Sequence, residues 1–286
     1  MNPIYENQWV KLYQGDCLEI MSELDMTFDA CITDPPYGTT ACKWDSVIPF
    51  EPMWEQLKRL VKSNGAICLF GSEPFSSSLR MSNLPMFKYD WIWVKSYSVG
   101  FVNAKLKPMN RHEIISVFSE GKTSNGNKNN MVYIPQGLKQ YGKISQHMNE
   151  KGKKGAENTY WRPSLKRARI RMPDHNAMKD GEKSIHSEKT YIQEYTNYPD
   201  TILNFSRKGK TVHPTQKPVP LLEYLIKTYT NENELVLDFT SGSGTTGVAC
   251  MNTNRKCVLI EKEEKYCKIT IQRLQDKEKE IAERLF

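Results

Sequence analysis

The sequence predicts an α/β domain, a parallel or mixed sheet with helices on both faces, interrupted by one inserted segment. Three observations predict it. Short apolar runs alternate with stretches of helical periodicity over residues 9–118 and again over 221–260. A glycine-rich turn separates an apolar run from a helical one within residues 235–251. Between the two halves, residues 121–210 lose the periodicity and become rich in Asn, Gly, Lys and Ser. A chain of 286 residues can hold one large domain, an insertion and a sizeable core.

In chain order, residues 9–13 alternate apolar with polar and predict a short strand. Gly15, Asp16 and Cys17 form a turn, and Leu18, Ile20, Met21 and Leu24 mark one side of a short helix. Residues 28–33 are apolar enough for a buried strand, which the prolines after Asp34 end. A loop over 38–49 carries Thr39, Thr40, Lys43, Trp44 and Asp45. A helix from about Pro52 then places Met53, Trp54, Leu57, Leu60 and Val61 on one face. Strand 65–70, helix 74–81 and strands 90–94 and 112–118 complete the first half. After the insertion come helix 221–229, strand 234–239, helix 244–251, strand 257–260 and a long charged helix from about Glu263. No internal repeat is visible.

The formal net charge is +7, and its distribution is uneven. Residues 121–210 carry 18 Lys/Arg against 8 Asp/Glu, while the remainder carries 22 against 25. One segment supplies the whole excess, which points to a polyanionic partner; a lysine-rich solvated insertion is the plainer alternative. The seven cysteines, at 17, 31, 42, 68, 250, 257 and 267, form no C-x-x-C pair. That pattern argues against a metal site and for reduced intracellular thiols. No apolar run is long enough to span a membrane and no signal-peptide pattern opens the chain, so a cytoplasmic protein without membrane contact is expected.

Two motifs carry the chemistry. Asp34-Pro35-Pro36-Tyr37 follows a buried strand, so a carboxylate, a stiff bend and an aromatic stand at the C-terminal edge of the sheet, where open α/β folds bind ligands. The second is the run from Leu235 through Asp238, Phe239, Thr240 and Ser241 to Gly242, Ser243, Gly244, Thr245, Thr246 and Gly247. Taken alone it matches the dinucleotide fingerprint G-x-G-x-x-G, and Glu261 at the end of the next strand could accept from a ribose, so a nicotinamide oxidoreductase is the competing reading. About forty residues remain after the turn, too few for a second nucleotide-binding half. Asp238 would also repel a pyrophosphate and attract a cation, such as the sulfonium and ammonium of S-adenosylmethionine.

Together the motifs resemble an amino-group DNA methyltransferase of the β-class. In that family Asp-Pro-Pro-Tyr is catalytic and the glycine-rich turn holds S-adenosylmethionine. Here the catalytic motif comes first and the cofactor turn last, and His213-Pro214-Thr215-Gln216-Lys217-Pro218 also fits the family pattern. The resemblance covers roughly residues 10–120 and 211–275. It implies a Rossmann-like methyltransferase sheet in circularly rearranged order, residues 121–210 being an inserted target-recognition region. It assigns catalysis to Asp34, Pro35, Pro36 and Tyr37. It sets Asp238, Gly242 and Gly244 at the methionine side of the cofactor, with Phe239, Ser241 and Thr245 in the same turn and Asp34 beside the donor. Glu261 would take the ribose hydroxyls, Asp16 and Cys17 the adenine edge, and Lys217 the methionine carboxylate; a solvated lysine at a helix start is the plain alternative for Lys217. Many relatives have Asp-Pro-Phe before the glycines, where this chain has Asp238-Phe239-Thr240.

An exocyclic amine is a poor nucleophile because its lone pair is delocalised into the ring. Asp34 and the Pro35 carbonyl could accept its two N–H bonds and Tyr37 could stack on a base turned out of the duplex. No cysteine follows a proline, which excludes cytosine-C5 chemistry. The family analogy favours adenine N6 over cytosine N4, because the motif opens with Asp. In the insertion, Tyr160, Trp161, Arg162, Lys166, Arg167, Arg169 and Arg171 are the candidate DNA contacts. The partners expected are DNA, a second copy of the chain and a companion restriction endonuclease.

Overall fold

The computed structural model describes residues 2–39, 45–145, 191–206 and 216–284. Residues Met1–Ile134 and Asp200–Phe286 form one compact unit, and Pro135–Pro199 a second. Residues 121–134 and those from 200 onward, which composition groups with the insertion, therefore belong to the first unit.

The first unit is built on strands β1 (Tyr5–Glu6), β2 (Val10–Gln14), β3 (Phe28–Thr33), β4 (Val61–Gly71), β5 (Phe87–Val99) and β6 (Asn110–Phe118) from its first half. The second unit has β7 (Lys139–Ser145) antiparallel to β8 (Tyr191–Thr196). The chain then returns with β9 (Ile202–Asn204), β10 (Leu235–Asp238) and β11 (Lys256–Glu261). Among the described residues the main sheet runs β1-β2-β11-β10-β3-β4-β6-β5-β9. From β2 to β4 it is parallel; β6 pairs antiparallel with both β4 and β5. This is the predicted mixed α/β sheet, with strands from the end of the chain seated between strands from its beginning.

Side-chain alternation explains the apolar run of β3. Ala30 and Ile32 join one buried cluster while Cys31 joins the other, so each face of the strand meets its own layer of helices. Helices α1 (Cys17–Glu23), α2 (Phe50–Leu60) and α3 (Phe75–Ser82) supply Ile20, Leu57 and Leu79 to one cluster. Helices α4 (Val219–Tyr229), α5 (Thr245–Asn252) and α6 (Glu264–Arg284) supply Leu225, Ala249 and Leu274 to the other. Val61, expected on the face of α2, instead opens β4, because the backbone turns extended there: its φ and ψ are −95° and 135°. The short strands β1 and β9 and the β7–β8 pair were not among the predicted elements. Two- and three-residue edge strands carry no period to read.

Candidate active site

Helix α2 carries the chain from β3 to β4 on one side of β10, and α5 carries it from β10 to β11 on the other. The strand order therefore reverses between β3 and β10, which is where such sheets open a crevice beyond their C-terminal ends. Asp34 follows β3, Asp238 ends β10, Glu261 ends β11 and Asp16 follows β2, so all four carboxylates reach one edge. A cavity of about 540 Å³ occupies that edge and is lined by Asp16, Asp34, Tyr37, Lys217, Asp238 and Glu261. Its volume lies within the range of small-molecule sites. Cys17, Pro35, Pro36, Phe239, Ser241, Gly242 and Thr245 also line it.

The corner at β3 is ionic. Asp34 accepts from the Tyr37 hydroxyl and from the Lys217 ammonium. Lys217 also pairs with Glu113 Oε2 at 3.1 Å, and Lys95 pairs with Glu113 Oε1 at 2.5 Å. Lys217 is only 7% exposed and lies 5.1 Å from the centre of the Phe70 ring. The solvated-lysine alternative is thereby excluded, and its ammonium points to the Asp34 carboxylate. Asp34 keeps a quarter of its side chain exposed to the cavity. Burial pushes the Asp34 carboxyl up, and the Lys217 ammonium opposes this without cancelling it. Burial pushes Glu113 up as well, but two ammoniums, Lys217 and Lys95, leave it below its ordinary value. Burial pulls Lys217 down, and Asp34 and Glu113 outweigh that and raise it.

The bend itself is clamped. Asp45 Oδ1 accepts from the backbone N–H of Tyr37 at 2.8 Å and of Gly38 at 2.9 Å, and Oδ2 from that of Thr39 at 2.9 Å. The Tyr37 ring stacks on Phe75, centroids 5.1 Å apart and planes 26° off parallel. These contacts hold the aromatic half-buried at the cavity wall, with one ring face already covered.

The corner at β10 is arranged differently. Asp238 Oδ1 accepts from the Thr33 hydroxyl at 2.6 Å and Oδ2 from the Thr246 hydroxyl at 2.5 Å. Glu261 accepts from the backbone N–H of Gly242 and of Glu263, both at 2.8 Å. Burial pushes Asp238 up to about 6 against its hydrogen bonds, and pushes Glu261 up to about 7. Ser241 Oγ is buried with no hydrogen-bond partner among the described residues. A Cβ placed on Gly242 would meet nothing within 4 Å, so the backbone there faces open cavity. Two weakened carboxylates, an orphaned hydroxyl and a bare backbone fit a ligand that brings positive charge and hydrogen-bonding groups.

Gly244 has a packing role of its own. It is absent from the cavity wall, and a Cβ on it would come within 2.5 Å of Thr270 Cγ2 on α6. With φ at 72°, it turns the chain into α5 and lets α6 pack closely. Thr245 reaches the wall but accepts from Arg273 Nη1 at 3.1 Å. Phe239 is 1% exposed and belongs to the core beneath the cavity. Asp16 caps α1 through Leu18 N at 3.0 Å and meets Lys262 Nζ at 3.3 Å. Burial pushes the Cys17 thiol up to about 12.

Sequence reading missed Lys95, Glu113 and the clamping role of Asp45. Glu113 is a charge at the start of the apolar run that becomes β6, a signal too common on strand ends to single out. Tyr160, Trp161, Arg162, Lys166, Arg167, Arg169 and Arg171 lie outside the described residues, as do His213, Pro214 and Thr215. Among the described residues no cluster of His, Cys, Asp and Glu could hold a metal, and no helix is long and apolar enough to cross a membrane.

The chain is similar to one family, to two Type II methyltransferases and to two solved structures. The DNA methylase family profile of N6/N4 type matches residues 28–272. The Type II methyltransferase M1.MboII of Moraxella bovis is 27% identical over 263 residues, covering 87% of this chain and 90% of that protein. M.HinfI of Haemophilus influenzae is 26% identical over 295 residues, covering 93% and 68%. Among solved structures, the M1.HpyAVI–SAM complex is 24% identical with a TM-score of 0.56, covering 93% of this chain and all of the other. The cytosine-N4-specific PvuII DNA methyltransferase is 14% identical with a TM-score of 0.59, covering 96% and 93%. At those identities the structural likeness carries the fold.

Proposed function

The chain belongs to the N6/N4 DNA methylase family, and on that premise we propose that it methylates adenine N6 in duplex DNA, using S-adenosylmethionine, at a base turned out into the cavity. The observation that carries the proposal is the pairing of Asp34 and Tyr37 at the end of β3 with a cation-seeking wall at β10, in one cavity.

S-adenosylmethionine, when bound, supplies a methyl group made electrophilic by its sulfonium. The uncompensated carboxylates of Asp238 and Glu261, the free Ser241 hydroxyl and the open backbone at Gly242 are the residues that would hold it. A pyrophosphate would meet those same carboxylates, which disfavours the nicotinamide alternative. Asp34 would accept one N–H of the target amine and the Pro35 carbonyl the other, holding the nitrogen in line and opposing the positive charge that grows on it. A carboxylate offers about four lone-pair positions, and Tyr37 and Lys217 occupy two. Lys217 keeps Asp34 ionised against the cost of burial, in place of the cofactor-carboxylate role that the motif suggested. Tyr37, backed by Phe75, would offer its other face to the base.

The basic insertion of residues 121–210, with Tyr160, Trp161 and the arginines from Arg162 to Arg171, would carry target recognition. A second copy of the chain and a restriction endonuclease are the partners this reading allows. The deciding experiment is expression in cells free of endogenous DNA methylation, followed by mass analysis of nucleosides and sequencing of modified bases. N6-methyladenine at one short site is expected. N4-methylcytosine alone would move the target to cytosine, and unmodified DNA would overturn the proposal.

A further inference from the structure

The end of the β5–β6 hairpin has no part in the methyl-transfer geometry, yet it displays Phe101, Val102 and Leu106 at 81, 94 and 86% exposure. These side chains stand on a closed turn. Asn103 N donates to Gly100 O at 3.0 Å, Ala104 N to Phe101 O at 3.0 Å and Leu106 N to Asn103 O at 2.9 Å. Gly100, with φ at 94°, makes the entry. Between Asp90 and Glu113 the sequence has Lys95, Lys105, Lys107 and Arg111 and no carboxylate. The same strand lines the cavity with Tyr97 and Val99 just before the tip.

We propose that this tip is a wedge that enters the DNA stack where the target base has left it, with its cations on the flanking phosphates. The inference rests on the base-extruding DNA methylase reading above. Turning a base out costs a few kcal/mol of lost stacking and pairing. The opened step is an apolar slot, and exposed Phe, Leu and Ile side chains are the groups that proteins insert into such slots. Lys95 is engaged by Glu113, and the three exposed cations that remain, Lys105, Lys107 and Arg111, favour a polyanion over an apolar or basic partner. Reach agrees as well. From Tyr97 at the cavity wall to Phe101 is four residues, at most about 13 Å of chain, comparable to the ~12 Å width of the major groove. A base in the cavity and the tip in the duplex are therefore within about one groove width of each other.

The test uses the full-length protein and a duplex carrying the site found by sequencing, with 2-aminopurine, or a fluorescent cytosine analogue, at the target position. Wild-type protein should brighten the probe as the base leaves the stack. The variant F101S/V102S/L106S should lose at least half of that rise and raise KM for DNA about tenfold. Its melting temperature should be unchanged, since the three side chains touch solvent. The variant K105A/K107A should keep the brightening and reduce the salt slope of binding by about two. Full brightening by the apolar triple variant overturns the wedge. So does a change from dimer to monomer with brightening intact, which would assign the tip to a second copy of the chain. Unmodified DNA in cells expressing the wild type would fail the enzymatic reading itself, and the wedge with it.

Discussion

The two ends of the cavity hold carboxylates under opposite regimes. At β3, Asp34 and Glu113 share Lys217, and Glu113 adds Lys95, so every buried charge has an opposite neighbour. At β10 and β11, Asp238 and Glu261 are met by hydroxyls and backbone amides, and burial leaves them at about 6 and about 7. The contrast teaches what each end awaits. On the proposed function, a compensated carboxylate would receive a neutral amine that becomes positive, and an uncompensated pair would receive a ligand that arrives positive.

The largest expected effect breaks the first regime outright. Asp34→Ala should reduce methyl transfer by at least about 10³-fold, while affinity for S-adenosylmethionine changes by only a few-fold. Turnover measured by nucleoside mass analysis and binding by calorimetry separate the two. Near-normal turnover would remove Asp34 from the chemistry.

A sharper probe adjusts the charges around Asp34 without touching it. Lys217→Gln removes the opposing cation, so Asp34 should rise further and the acid limb of the kcat profile should move to higher pH. At pH 7 the rate should fall roughly tenfold, and Lys217→Arg should recover part of it. Glu113→Gln removes a repulsive neighbour and frees Lys217 for Asp34, so the same limb should move to lower pH. A purely structural role for either residue would lower rates without moving the limb in opposite directions.

How much of this contrast could be read from the chain itself differs between the two ends. The buried strand over residues 28–33, the proline bend and the glycine turn were legible because each is a local pattern: an apolar run, a missing N–H, a missing Cβ. Their convergence followed from strand–helix alternation and the behaviour of open sheets. Lys217 was legible as a motif residue but not in its partner, since Asp34 lies 183 positions away. Glu113 and Lys95 gave no local signal, because an antiparallel strand pair brought them together. The packing of Gly244 against Thr270 was not legible, because a glycine needed for helix packing looks in sequence like one needed for a ligand.

At the other end, Asp238→Asn tests whether the wall is cation-seeking. Removing the charge should weaken S-adenosylmethionine binding about tenfold, in line with a charged hydrogen bond, and leave kcat at saturating cofactor within about twofold. Unchanged affinity would make Asp238 a structural acceptor for Thr33 and Thr246 only.

The smallest effect on turnover, and the most direct on the second regime, is the pH dependence of the ligand-free protein. Glu261 rises from an ordinary 4.5 to about 7 in the folded chain. Below 4.5 the folded and unfolded chains both carry its proton. Between 4.5 and about 7 only the folded chain does, so each rise in pH favours unfolding, and above about 7 the two states are equal again. Stability from this group is thus present at low pH and lost as pH climbs through 7. Asp238 repeats the sign between 3.8 and about 6. Glu73 and Glu113 are lowered, so their opposite slopes fall at more acid pH. Glu261→Gln should therefore flatten the decline in melting temperature between pH 6 and 7 by about 2 °C and leave the Asp238 portion below pH 6. A decline identical to wild type across pH 6–7 would mean that Glu261 is already ionised in the folded protein, and that this end of the cavity is not short of positive charge.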